Sequence, residues 1–195
     1  MERVRSFIAI ELPPEVRAEL GSLEEKLKGG KHPFVKWVDP EGIHLTLKFL
    51  GGIPADMVPR VSEAMTGVAG AAARFSLRVG TVGVFPNWQR PQVVWVGVGG
   101  DVDRLAALHR SLEAALAKLG FAPESRSFKA HLTLGRLRER ATPREKQDFG
   151  TWAQSVGYEG GPSFEVSALS LMKSQLTPAG AIYSRLASAP LAGLR

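Results

Sequence analysis

The stretch His44-Leu45-Thr46-Leu47 decides the fold, because it is spelled again as His131-Leu132-Thr133-Leu134, 87 residues later. A β-strand turns alternate side chains to opposite faces. On a strand, His44 and Thr46 share one face while Leu45 and Leu47 enter a core. His131 and Thr133 stand in the same relation to Leu132 and Leu134. Two matching strands would then present two imidazoles and two hydroxyls, which is the material of an acid–base site.

The repeat extends outward from the tetrapeptide. Phe7 to Leu12 is an apolar, strand-like run, and the same offset carries Phe7 to Val94 within the β-branched run 93–98. Pro14 maps to Asp101, and each opens a predicted helix, 14–28 and 101–119. Proline suits a first helical turn, and an aspartate can cap orphan amides. Val16, Leu20, Leu23 and Leu27 keep helical spacing in the first helix; Leu105, Leu108, Leu112, Leu116 and Leu119 do so in the second. Glycines follow both, at Gly29, Gly30 and Gly120. Each His-Thr strand leads to a further helix, over 56–72 and 142–155, the latter opened by a capping-box pattern with Thr142, Pro143 and Glu145. Additional strands are expected over 35–38, 75–85, 164–172 and 183–187. Each half therefore reads strand, helix, His-Thr strand, helix, strand. No low-complexity linker divides them, so residues 1–195 are read as a single domain of two lobes.

Composition narrows the function. The chain has 195 residues with an ordinary hydrophobic fraction of 44%. No apolar run is long enough for a membrane helix, and the short apolar N-terminal stretch ends at Glu11 and Pro13, unlike a secretory signal; a cytoplasmic location is expected. Cysteine is absent, which excludes disulfides and thiolate chemistry. The net charge of +6 favours polyanionic partners, nucleic acid being the commonest.

Two imidazoles facing one reacting group can each move a proton, one from a nucleophile and one to a leaving group. Thr46 and Thr133, on the same faces, can donate hydrogen bonds to phosphoryl oxygens. Arg136 can neutralise developing charge and grip phosphate bidentately. Acidic residues are missing from both motifs, so a metal site at His44 and His131 is not expected. His109, in a predicted helix and expected to be partly exposed, and His32, in a loop, read as structural.

The chain resembles the two-histidine phosphoesterases, specifically the RNA 2′,3′-cyclic phosphodiesterases also called 2′-5′ RNA ligases. The resemblance is carried by Arg-Ser-Phe-Ile-Ala-Ile-Glu-Leu-Pro at 5–13, Val-Lys-Trp-Val at 35–38, His-Leu-Thr-Leu-Lys-Phe-Leu-Gly at 44–51, and Val-Phe-Pro at 84–86. Further pieces are Arg-Pro-Gln-Val-Val-Trp at 90–95, Phe-Lys-Ala-His-Leu-Thr-Leu-Gly-Arg at 128–136, Leu-Met-Lys-Ser-Gln-Leu at 171–176, Gly180 and Tyr183. Ala130 departs from the proline common in that family before the second histidine. The resemblance implies an α+β fold: a bilobal pseudo-twofold duplication with intertwined lobes, two antiparallel sheets lining a central groove, and helices outside. It implies metal-independent, cofactor-free opening of an RNA 2′,3′-cyclic phosphate end to a 2′-phosphomonoester. By position, His44 matches the proton donor, His131 the proton acceptor, Thr46, Thr133 and Arg136 the phosphate ligands, and Phe49 a base-stacking aromatic. The expected partner is RNA with such ends, tRNA fragments being one candidate source, with no membrane and a monomeric chain. Two alternatives stay open: ligation by the reverse reaction, and a non-catalytic RNA-binding module.

One geometric difficulty remains at this level. Phe49 and Arg136 have the parity of the leucines, so a regular strand would turn them away from the histidines. A bulge or twist must re-aim them. Gly135 would ease this for Arg136; for the first copy the alternative is a core Phe49 with Lys48 facing phosphate.

Overall fold

A computed structural model describes residues 2–125, 127–178 and 180–193. The first half runs β1 (Arg3–Glu11), α1 (Pro14–Lys28), β2 (Val35–Trp37), β3 (His44–Pro54), α2 (Met57–Ala71) and β4 (Phe75–Phe85). The second runs β5 (Val93–Gly100), α3 (Val102–Ala117), β6 (His131–Leu137), α4 (Pro143–Ser155), β7 (Ser163–Val166), β8 (Ala168–Thr177) and β9 (Gly180–Pro190). Each half carries its two helices on either side of its His-Thr strand, as the periodicities predict.

All nine strands join one sheet, ordered β7-β4-β5-β6-β3-β1-β8-β9, with β2 paired to β6. The order is symmetric about its centre, where the two His-Thr strands are neighbours. Between β3 and β6 the register holds one pair, Leu45 opposite Leu132. The two expected sheets thus meet at a single rung. Each half also lends a strand to the other: β4 pairs with β5, and β8 pairs with β1. The stretch 164–172, read from sequence as one strand, is two: β7 runs beside β4 and β8 beside β1.

The helices are amphipathic and cover one face. Leu20, Leu23 and Leu27 of α1, Leu105, Leu108, Leu112 and Leu116 of α3, and Val61 and Met65 of α2 are buried in one core with Leu45, Leu47, Leu132 and Leu134. Burying such a side chain stabilises by roughly 1.5–3 kcal/mol. This core fixes which way the strands face, because a one-residue slip would expose every leucine. A second, small cluster of Phe7, Ala9 and Met172, with Tyr183 against it, is separate from this core.

The local signals hold in part. Thr142 and Glu145 form the reciprocal capping box. Asp101 does not cap α3 through its side chain; its carboxylate accepts the Ser76 backbone N–H at 3.0 Å, tying the α3 entry to β4. His109 is buried, not partly exposed, and stacks on Phe128 at 4.0 Å.

Glu24 is an anomaly of the α1 core. Its side chain is 1% exposed, Lys28 lies 3.6 Å away, and neither carboxylate oxygen has a hydrogen-bond partner among the described residues. Burial raises its pKa from 4.5 to about 7, against the pull of Lys28. A carboxyl raised on folding adds stability below its unfolded pKa, and that stability is lost as pH climbs through the folded value. Urea unfolding should therefore show stability declining from about pH 4.5 to about pH 7, and Glu24→Gln should remove that part of the slope. An unchanged slope would show that Glu24 is solvated.

Candidate active site

The Leu45–Leu132 rung fixes the geometry of both motifs. Continuing the antiparallel register one step each way sets His44 across from Thr133 and Thr46 across from His131. All four lie on the face opposite the leucine core, and all four are half-buried. Directly opposed side chains in a regular sheet have Cβ atoms about 4.5–5.5 Å apart, and diagonal ones about 7–8 Å. The imidazoles are the diagonal pair.

The ring nitrogens are set identically in the two copies. His44 Nδ1 lies 2.8 Å from the Gly42 carbonyl oxygen, and His131 Nδ1 lies 2.7 Å from that of Lys129. In each case the acceptor is two residues upstream. A carbonyl only accepts, so Nδ1 is the donor and Nε2 is left for other chemistry.

Phe49 and Arg136 reach the histidine face through matching bulges. Along β1, Ala9 pairs with Thr46 and Ile8 with Lys48, so Leu47 is the extra residue. Along β5, Trp95 pairs with Thr133 and Val94 with Gly135, so Leu134 is the extra residue. Each bulge falls on the last leucine of the tetrapeptide. Leu47 and Lys48 are both buried, as are Leu134 and Gly135, and the next side chain returns to the open face. Phe49 is 61% exposed, with its ring 6.0 Å from that of Phe7. The alternative with Lys48 facing phosphate is overturned: Lys48 is buried, its amine 2.9 Å from Glu113 of α3 and donating to the Ala122 carbonyl at 2.8 Å. In the second copy Gly135 leaves space for Trp37 and Val35, each of which would stand 3.1 Å from an added Cβ.

Aromatics absent from the sequence-predicted set pack against both imidazoles. Phe7 stacks on His44 at 4.5 Å, and Tyr183 meets its edge at 5.0 Å. Phe85 lies 5.0 Å and Trp95 6.1 Å from His131. The offset of 87 concealed Phe7 by pairing it with core Val94. Cross-strand partners show that Phe7 answers to Val93, opposite Phe49 and Arg136 respectively, and Glu11 to Gly97. The β1–β5 correspondence is one residue shorter, and that one residue changes the face.

Burial lowers the His44 pKa below the ordinary imidazole value, partly offset by the hydrogen bond to Gly42 and the charge of Glu11. A folded histidine held neutral contributes stability above its unfolded pKa, lost as pH falls through the folded one.

Two antiparallel half-sheets joined at paired His-x-Thr strands define a two-histidine phosphoesterase. The chain belongs to the family described as LigT-like phosphoesterase, whose model matches residues 10–95 and 97–183. It is 34% identical over 182 residues to the RNA 2′,3′-cyclic phosphodiesterase of Methanothermobacter thermautotrophicus, covering 93% of this chain and 96% of that one. It is 32% identical over 186 residues to the protein of that name from Thermotoga maritima, covering 94% and 93%. Among solved structures, TT0787 of Thermus thermophilus superposes with a TM-score of 0.80 at 28% identity, covering 98% of this chain and all of that one. LigT of E. coli complexed with 3′-AMP superposes with a TM-score of 0.74 at 25% identity, covering 97% and 99%.

Nitrogen-15 NMR should find the proton of both neutral imidazoles on Nδ1, with His44 titrating below the ordinary imidazole range. A proton on Nε2 in either ring would contradict this arrangement.

Proposed function

We propose that this chain hydrolyses RNA 2′,3′-cyclic phosphate ends to 2′-phosphomonoesters by paired histidine acid–base catalysis, without a metal ion. The observation that carries the reading is the diagonal imidazole pair, each with Nδ1 held by a carbonyl and Nε2 free. The relatives named for this activity, matched over nearly their whole length, support the same substrate class.

In this mechanism His131 Nε2 takes a proton from water as its oxygen attacks phosphorus. The P–O3′ bond breaks, and His44 Nε2 gives its proton to O3′. The product keeps phosphate on O2′ and a free 3′-hydroxyl. Thr46 and Thr133 donate hydrogen bonds to the non-bridging oxygens, strongest as charge builds there. Arg136, exposed on the same face, adds positive charge. Phe49 offers an exposed ring to the terminal base. The whole chain acts as one two-lobed unit, since each lobe supplies one histidine.

The acid role asks something of His44. Burial favours its neutral form, whereas an acid must begin protonated. A bound phosphodiester carries a negative charge, and its approach favours the imidazolium. Substrate thus helps to create its own acid.

His44→Ala and His131→Ala should each lower kcat by roughly 10²–10⁴-fold in protein that still unfolds cooperatively. Phe49→Ala should chiefly raise KM, by about tenfold given stacking of about 1–3 kcal/mol. Activity should survive a chelator, and the product of a defined cyclic-phosphate RNA should be the 2′-phosphate. Full turnover in either histidine variant, or a 3′-phosphate product, would contradict the proposal.

A further inference from the structure

The two histidines are spelled alike but face different partners across the strand. Opposite His44 on β1 stands Glu11; opposite His131 on β5 stands Gly97. Glu11 is fixed from two further strands. Arg185 of β9 grips both carboxylate oxygens, at 2.7 and 3.0 Å, and the Ser170 hydroxyl of β8 donates to one of them. Burial alone would raise the Glu11 carboxyl, but the bonds from Arg185 and Ser170 outweigh it and hold it below the usual range. It is therefore an anion at neutral pH. Phe7 and Tyr183 also pack on His44, and Thr133 stands across the central rung; the Arg185 guanidinium opposes the charge of Glu11, which still acts on His44 as a net anion. Arg17 of α1 contributes a weaker positive field at Glu11.

We propose that Glu11 is a positioning residue that assigns the acid role to His44. The proposal rests on the two-histidine reading above. Its carboxylate favours the imidazolium at His44 through space, since the Nδ1 proton is already committed to Gly42. Gly97 gives His131 no such anion, so His131 stays available as the base. Arg185 and Ser170 anchor the carboxylate so that it does not swing away to solvent. The proton-transfer asymmetry of a duplicated site then comes from one unduplicated residue.

The position of Gly97 allows the reciprocal change. An added Cβ there meets Trp95 at 3.6 Å and the Thr81 carbonyl at 3.9 Å, ordinary contacts. The test is NMR titration of both histidines, with pH–rate profiles, in wild type, Glu11→Gln and Gly97→Glu. Glu11→Gln should lower the His44 midpoint by about half a pH unit or more and leave that of His131 in place. The alkaline limb of kcat should move acidward, with activity near wild type on the acidic side. Gly97→Glu should raise the His131 midpoint and move the acidic limb to higher pH. An unmoved His44 midpoint in folded Glu11→Gln, or an equal loss of activity at every pH, would overturn the proposal. Should Glu11→Gln fail to fold, Gly97→Glu decides: an unmoved His131 midpoint overturns it. The titrations need no turnover, so an inactive wild type would sink the two-histidine reading separately.

Discussion

Leu45 and Leu132 face each other at the one rung between β3 and β6, and both are wholly buried. Their burial sets the face of each strand, and with it the face of four polar side chains. A slip by one residue on either strand would put an imidazole into the leucine core and a leucine into the open face. The helices that cover the leucines enforce the choice. The diagonal placement of His44 and His131 is therefore a consequence of apolar packing on the opposite side of the sheet. Leu45 opposite Leu132 is the single pair between the two strands among the described residues.

Much of this was legible in the chain. The leucine spacings of α1 and α3 marked the buried helix faces, and the capping box located α4, because these are local signals of period and hydrogen bonding. The tetrapeptide pair announced the site. What could not be read was pairing. A bulge belongs to two strands at once, so the returns of Phe49 and Arg136 to the histidine face were visible only as a parity conflict. The division of 164–172 into β7 and β8 has the same origin, since each piece is defined by a different partner strand. Phe7 and Glu11 were obscured by an offset wrong by a single residue, which in a period of two is enough to reverse a face.

Duplication explains the likeness of the two histidines; the departures from it explain how they can differ. After the bulged leucine one copy has Lys48, whose amine is buried against Glu113, and the other has Gly135, which makes room for Trp37. Across the strand one copy has an anchored carboxylate and the other has bare backbone. In the proposed mechanism the shared features hold phosphate and the unshared ones give direction to proton flow. The net charge of +6 adds a general attraction for polyanions that is blind to this asymmetry.

In the proposed mechanism one phosphate is held between both imidazoles. Adenosine 2′-monophosphate, titrated into the protein while the His44 and His131 resonances are followed, tests it most directly. Both rings should respond along one binding curve with a single Kd. A response from only one histidine, or two curves with different Kd values, would contradict it.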